Sequence, residues 1–241
     1  TLTINTGNLV LGTNNLILGA SASISISAPS ATKMIVASGT GEVRKTYTST
    51  GSFTFPIGDA TPNYSPVTVN VTSASGFAAA YVGASVVNTK HPNNSSTTNF
   101  LKRYWNINQS GITGCVATIS ANYVPGDING TETSIKSAQL NGVFNQNTNP
   151  WIKFVALGGN TFTTSGATIT AGQVSAFTGI TGADPTVSIS GAAPICSGGA
   201  GVTITANPVG DATFVYSWSP ATGLSSTTIS NPTANPATTT T

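Results

Sequence analysis

Apolar side chains recur every seven residues at the start of the chain. The stretches TLTINTG, NLVLGTN and NLILGAS, residues 1–21, put Leu2 and Ile4, Leu9 and Leu11, and Leu16 and Leu18 at equivalent places. In each heptad one residue separates the two apolar positions, the period of an extended strand. Each unit therefore predicts a three-residue strand with two inward side chains. Gly7, Gly12, Asn14 and Gly19 supply the bends, because glycine and asparagine tolerate left-handed backbone. A coiled coil also repeats every seven, but Thr, Asn and Gly at this density are poor in helix interiors. Three units make one triangular coil of roughly 21 residues, as in a parallel β-helix. SISIS (23–27) and KMIVASG (33–39) continue the winding. Solenoids need at least about three repeats, so further coils are expected before Thr1.

From residue 42 to 183 the pattern changes to longer alternating runs separated by turn residues. FTFPIGD (53–59), SPVTVNVTS (65–73), YWNIN (104–108), TISANY (118–123), WIKFVALG (151–158) and VSAFTGI (174–180) carry it. Several strands at this spacing, with no helical period, predict a β-sandwich. A third segment, 184–241, shows PTVSIS, GVTITAN and TFVYSWSP, with Val187/Ile189, Val202/Ile204 and Phe214/Tyr216/Trp218 as inward sets. Trp218 fits the buried aromatic of an immunoglobulin-like sandwich. After it comes a long Ser/Thr/Asn/Pro stretch with no predicted strand. Such a sandwich has about seven strands, so its last ones are expected to lie beyond Thr241. The expected fold is all-β: a β-helix end (1–41), a β-sandwich (42–183) and a truncated immunoglobulin-like domain (184–241).

Composition sharpens this picture. Charged residues are 6% of the chain, against roughly 25% in an ordinary globular protein. The chain is still 39% apolar and rich in β-branched residues, which argues against disorder. The net charge of +2 comes from scattered basic residues, the densest group being Lys102-Arg103, so a nucleic-acid partner is not expected. No apolar run approaches the ~20 residues of a membrane-spanning helix. TLTINTG is not a signal peptide, so a secreted origin implies a mature or internal segment.

Candidate chemistry is sparse. The single histidine, His91, lies in the polar loop TKHPNNSS and reads as a solvated side chain. Asp59 in IGDATPN and Asp127 in PGDINGTE read as turn acids that accept backbone N–H groups. Glu42 sits beside Arg44 and Lys45, where an ion pair suffices. No two carboxylates are placed like the acid and base of a glycosidase. PGDINGTET also admits a sharper reading. Asp127, Asn129 and Glu132 offer oxygens that loosely fit a calcium loop, although the full calcium-loop pattern is not there. The alternative is a bare turn. Trp151, at a strand start, and Tyr64, in a loop, are candidates for stacking on sugar faces, while Trp105 alternates with Ile107 and reads as core. Cys115 shares a strand face with Ala117, Ile119, Ala121 and Tyr123 and reads as a small buried thiol.

The order LTIN, NLVLG, NLILG, SGTGEVRKTY, FPIGD, NYSPVTV and RYWNI resembles large Bacteroidetes surface proteins secreted by the type IX route, among them gliding adhesins. The tail PICSGGAGVTITANP to YSWSPATGLSSTTISNPTANPATTTT resembles their PKD-like or immunoglobulin-like repeats. The resemblance implies that the terminal threonines lead into a closing strand. It also implies that Cys196 pairs with a cysteine beyond Thr241 in an oxidising compartment. A Cys115–Cys196 bridge is the alternative. The expected function is a non-enzymatic structural or adhesive segment at the bacterial cell surface. Its partners would be surface polysaccharide or other cell-surface material and the neighbouring modules of the same protein. It would need no cofactor, calcium aside. The alternatives are a carbohydrate-binding module of a polysaccharide-degrading enzyme and a ligand-free spacer.

Overall fold

In the computed structural model the chain is all-β, and its described elements are strands and two single-turn 3-10 helices. The structure describes residues 1–182, 186–194, 199–209 and 214–238. The chain divides into two compact units, Thr1–Gly182 and Ala183–Thr241.

The heptads form β1 (Leu2–Ile4), β2 (Leu9–Val10) and β3 (Leu16–Leu18). The chain then passes through β4 (Ile24–Ile26), β5 (Ile35–Val36) and β6 (Val43–Thr46), each parallel to its counterpart. Leu2 lies beside Ile24, Leu9 beside Ile35 and Leu16 beside Val43. Ile4, Leu11 and Leu18 are buried while Val10 and Ile17 face outward, as the spacing predicts. Gly12 turns its corner at φ 60°, which a Cβ would strain. The repeated asparagines have a structural part. Asn8 and Asn15 accept the backbone N–H of Met34 and Glu42 at 3.1 and 3.0 Å, tying one turn of chain to the next. Lys45 closes another corner: its Nζ donates to the carbonyls of Gly19, Ala20 and Ala22 at 2.6–2.7 Å.

Next come β7 (Gly51–Phe55), β8 (Ile57–Asp59) and β9 (Asn63–Tyr64). They lead to β10 (Val67–Ser73), β11 (Gly76–Val87), β12 (Phe100–Leu101), β13 (Tyr104–Thr113) and β14 (Val116–Asn122). The first unit ends with β15 (Ile128–Asn129), β16 (Ile135–Asn141), β17 (Ile152–Ala156), β18 (Thr161–Thr168) and β19 (Val174–Thr181). β3 and β6 continue into a seven-stranded sheet of order β17-β16-β19-β13-β11-β6-β3. β7 joins a four-stranded sheet of order β18-β14-β10-β7, and β8 extends the parallel ladder of β2 and β5. The inner faces of the two larger sheets meet. The Trp105 ring on β13 lies 5.7 Å from that of Phe162 on β18, which is 6.3 Å from Phe177 on β19. One hydrophobic core therefore runs from Ile4, Leu11 and Leu18 to Trp105 and Phe177.

Outward positions of the four-stranded sheet are hydroxylic. Thr54, Thr68, Ser120 and Thr163 are register neighbours across β7, β10, β14 and β18. The Thr54 and Thr68 hydroxyls lie 2.8 Å apart. Val67, Val69 and Val71 alternate with them and are buried.

In the second unit β20 (Thr186–Ser190) pairs with β22 (Thr205–Val209), and β21 (Val202–Thr203) pairs with β23 (Thr233–Ala234). Two details differ from the sequence expectation. GVTITAN is divided between two partners at Ile204, and a short strand does follow Trp218. Backbone donors of a half-buried strand need acceptors, and the Ser/Thr/Asn/Pro stretch supplies them. Ile204 N–H reaches Pro232 O at 3.0 Å and Ala206 N–H reaches Ser230 O at 2.8 Å. Residues 214–218 form no ladder among the described residues; the Trp218 Nε1–H instead donates to Ile229 O at 2.7 Å. Among the described residues no helix is long and apolar enough to cross a membrane.

Candidate functional site

The first unit gathers charge in two places. The first is interior. Arg103, immediately before β13, is 0% exposed. Its Nε donates to Asp127 Oδ2 at 2.7 Å, its Nη1 to Asp59 Oδ2 at 2.5 Å and its Nη2 to Asn88 Oδ1 at 3.1 Å. The predicted turn roles of both acids are also present. Asp59 Oδ1 accepts Thr61 N–H at 2.7 Å, and Asp127 Oδ2 accepts Val124 N–H at 3.1 Å. Burial alone pushes the Asp59 carboxyl up, but the Thr61 and Arg103 hydrogen bonds and the Arg103 charge outweigh it and hold it below the usual carboxylate range. This knot joins β8, the 3-10 turn Pro125–Asp127 and the entry to β13. The sequence carried a signal for it: Arg103, Trp105 and Ile107 share one strand face, so the alternation points Arg103 inward.

The other sequence candidates are dispersed. Asp127 is bound to Arg103, and Asn129 lies on β15 opposite Phe100. Glu132 Oε1 accepts the Tyr123 hydroxyl at 2.7 Å and Asn160 N–H at 2.8 Å, which together hold its carboxyl below the usual range. No group of three or more His, Cys, Asp or Glu is close enough to hold a metal among the described residues. Trp151 is partly exposed and donates its Nε1–H to Asn93 O at 2.9 Å. Its ring meets His91 edge-on at 5.0 Å, and His91 meets Tyr104 at 4.7 Å. His91 is thus a packed ring rather than a solvated one, and burial pushes its pKa below the ordinary histidine value. Tyr64 stands on β9, paired with Gly58, and makes no ring contact with that trio among the described residues. Cys115 is buried in the core, where burial pushes its thiol up to about 11. Cys196 lies outside the described residues.

The second gathering is an open cleft of about 420 Å³ on the outer face of the seven-stranded sheet. Ile17, Arg44, Gly83, Asn108 and Val174 are successive register neighbours across β3, β6, β11, β13 and β19. Side chains at such positions share a face. Gly83 leaves a gap in the row, and the Glu42 carboxylate fills it. A Cβ at residue 83 would lie 2.6 Å from the Glu42 Cδ. Glu42 Oε1 accepts Arg44 Nε–H at 2.5 Å, and its Oε2 accepts the Asn108 amide. The Glu42 bond raises the Arg44 pKa above its ordinary value. The guanidinium also lies over the Tyr81 ring, 4.7 Å from its centroid. The Arg44 Nη nitrogens have no hydrogen-bond partner among the described residues. Thr13, Asn15, Thr40, Ser110 and Gln173 complete a wall of hydroxyls and amides. The Glu42–Arg44 pair was legible in the sequence, but Gly83, Tyr81 and Asn108 around it were not.

Comparison with protein-family models, curated proteins and solved structures gives no match to this chain. The arrangement itself therefore has to carry the functional reading. The interior knot is enclosed, with four hydrogen bonds from Arg103 to Asp59, Asp127 and Asn88, and is suited to holding the scaffold. The cleft presents fixed donors and acceptors to an external ligand.

Proposed function

We propose that this chain is a non-enzymatic structural and adhesive segment of a long bacterial cell-surface protein. The observation that carries the reading is the cross-strand row Thr54–Thr68–Ser120–Thr163 on the outside of a broad sheet. Uncharged hydroxyls in register offer many weak, cooperative hydrogen bonds to another surface. The ionisable side chains add support, because Arg103, Asp59, Asp127 and Glu132 are engaged in internal bonds rather than poised for proton transfer. In the same reading, the three parallel ladders are the end of a short parallel β-helix and the two facing sheets are a β-sandwich. Residues 184–241 are an immunoglobulin-like or PKD-like repeat. Broad ladders of backbone bonds would let the segment bear load along the chain. In this reading, which rests on the sequence resemblance to gliding adhesins, the segment lies outside the cell and is exported by the type IX route.

The second reading, a carbohydrate-binding module of a polysaccharide-degrading enzyme, keeps Trp151 as its candidate, although that ring stands at 88° to His91 rather than in a coplanar platform. Beads coated with the purified chain test both. The adhesive reading expects retention under flow on polysaccharide-coated glass and no release of reducing ends. Release of reducing sugar overturns the non-enzymatic reading. Retention no better than that of albumin-coated beads leaves only a spacer.

A further inference from the structure

We propose that the Arg44–Glu42–Asn108 cleft is a binding site for a neutral carbohydrate chain, an assignment that rests on reading the segment as adhesive and names what it adheres to. A sugar hydroxyl donates one hydrogen bond and accepts others, so it is best met by donors and acceptors side by side. The cleft has that order: the Arg44 guanidinium, the Glu42 carboxylate and the Asn108 amide stand in one row. The ion pair is also selective by charge. An anion drawn to Arg44 meets the Glu42 carboxylate 2.5 Å from the Arg44 Nε, and a cation drawn to Glu42 meets Arg44. A neutral polyol uses both.

The row is organised before any ligand arrives. Glu42 fixes the Nε edge of Arg44, Tyr81 supports its plane, and Gly83 leaves the space that the Glu42 carboxylate occupies. Little side-chain freedom is left to lose on binding. The ends of the row are apolar and exposed: Ile17 is 69% and Val174 50% accessible. They suit the C–H faces of sugar rings. Four inter-strand steps of about 4.8 Å put these ends roughly 19 Å apart, room for a short oligosaccharide rather than a single ring. The pair is unequal: the Glu42 side chain is 10% exposed and that of Arg44 31%, so the arginine is the part that meets solvent. Its placement on a polar cleft, in a chain with only 6 acidic and 8 basic residues, points to recognition.

Calorimetric titration of the whole chain with gluco-, manno-, galacto- and xylo-oligosaccharides, and with uronate oligomers for comparison, tests the assignment. Saturable binding of at least one neutral series is expected, equal at low and high salt because the ligand carries no charge to screen. Arg44→Met should weaken it about tenfold or more, since hydrogen bonds to a charged group are lost. Gly83→Ala, whose methyl displaces the Glu42 carboxylate, should do the same, while Val155→Thr, an exposed position on β17 outside the cleft, keeps the wild-type affinity. Thermal melts confirm that each variant is folded. The assignment is overturned if no neutral series binds, if only uronates bind and salt abolishes the binding, or if both cleft variants bind like wild type. Bead retention without oligosaccharide binding removes this site and leaves the adhesive reading. Release of reducing ends removes that reading while the calorimetric result stands.

Discussion

Arg103, just before β13, and Arg44, on β6, both bind carboxylates at the seven-stranded sheet, yet their settings are opposite. Arg103 is wholly enclosed, with two aspartates and an asparagine on its nitrogens. Its partners come from segments 44 and 24 residues away, so it joins parts of the chain that no single ladder connects. Arg44 is paired to a glutamate two residues away, its side chain is 31% exposed, and it lines a cleft. Burial decides the difference. An enclosed charge must be fully compensated and has nothing left to offer a ligand. A half-exposed charge held at one edge keeps donors in reserve.

Removing each charge is the most direct way to break this comparison. Arg103→Met leaves two buried aspartates without their cation. It should cost about 3–5 kcal/mol in urea unfolding, the scale for breaking a buried pair. A loss below about 1 kcal/mol would mean that the knot is not holding the fold. Lys45→Met comes next. It strips the donor from three carbonyls at a corner of the first coil, and a cost of about 1–3 kcal/mol is expected. Its melting transition should stay single, because the coil and the sheets share a core.

Acid sharpens the comparison without mutation. The Asp59 pKa is lowered in the folded chain, so its contribution is complete above the ordinary carboxylate value of 3.8 and is lost as pH falls through the lower folded value. The urea midpoint should fall modestly below about pH 6.5, where the unfolded chain protonates His91 more readily than the folded one, and then decline below about pH 4 as Asp59 is protonated. In Asp59→Asn that decline should be shallower from a lower starting point. An unchanged acid limb would contradict the Asp59 assignment. The smallest stability effect belongs to Arg44→Met, about 1 kcal/mol: the Arg44 side chain is 31% exposed, but its loss leaves the 10% exposed Glu42 carboxylate with only the Asn108 amide.

Much of the scaffold was legible in the sequence, and for local reasons. Heptads with two apolar positions and glycine corners became the parallel ladders, because strand period and turn chemistry act within a few residues. Val67, Val69 and Val71 face inward by the same rule. The Arg103 knot was half legible. Alternation in RYWNI set the direction of the arginine, while residue type alone suggested a surface. Nothing local linked it to Asp59 and Asp127, whose turn roles gave a sufficient explanation by themselves. The cleft was legible only as the Glu42–Arg44 pair, since Tyr81, Gly83 and Asn108 reach it through strand register. In the second unit the alternation of 213–218 was read as a strand, yet Trp218 is bonded into the following loop. An apolar alternation specifies a strand only where a partner edge exists to receive it.

On the proposal above, charge in the interior holds the segment together and charge in the cleft binds its ligand. Retention under flow of beads carrying wild type and Arg44→Met, on glass coated with the best-bound neutral polysaccharide, tests it most directly. Wild-type beads are expected to stay and Arg44→Met beads to wash away, although both proteins are folded. Equal retention of both would contradict it.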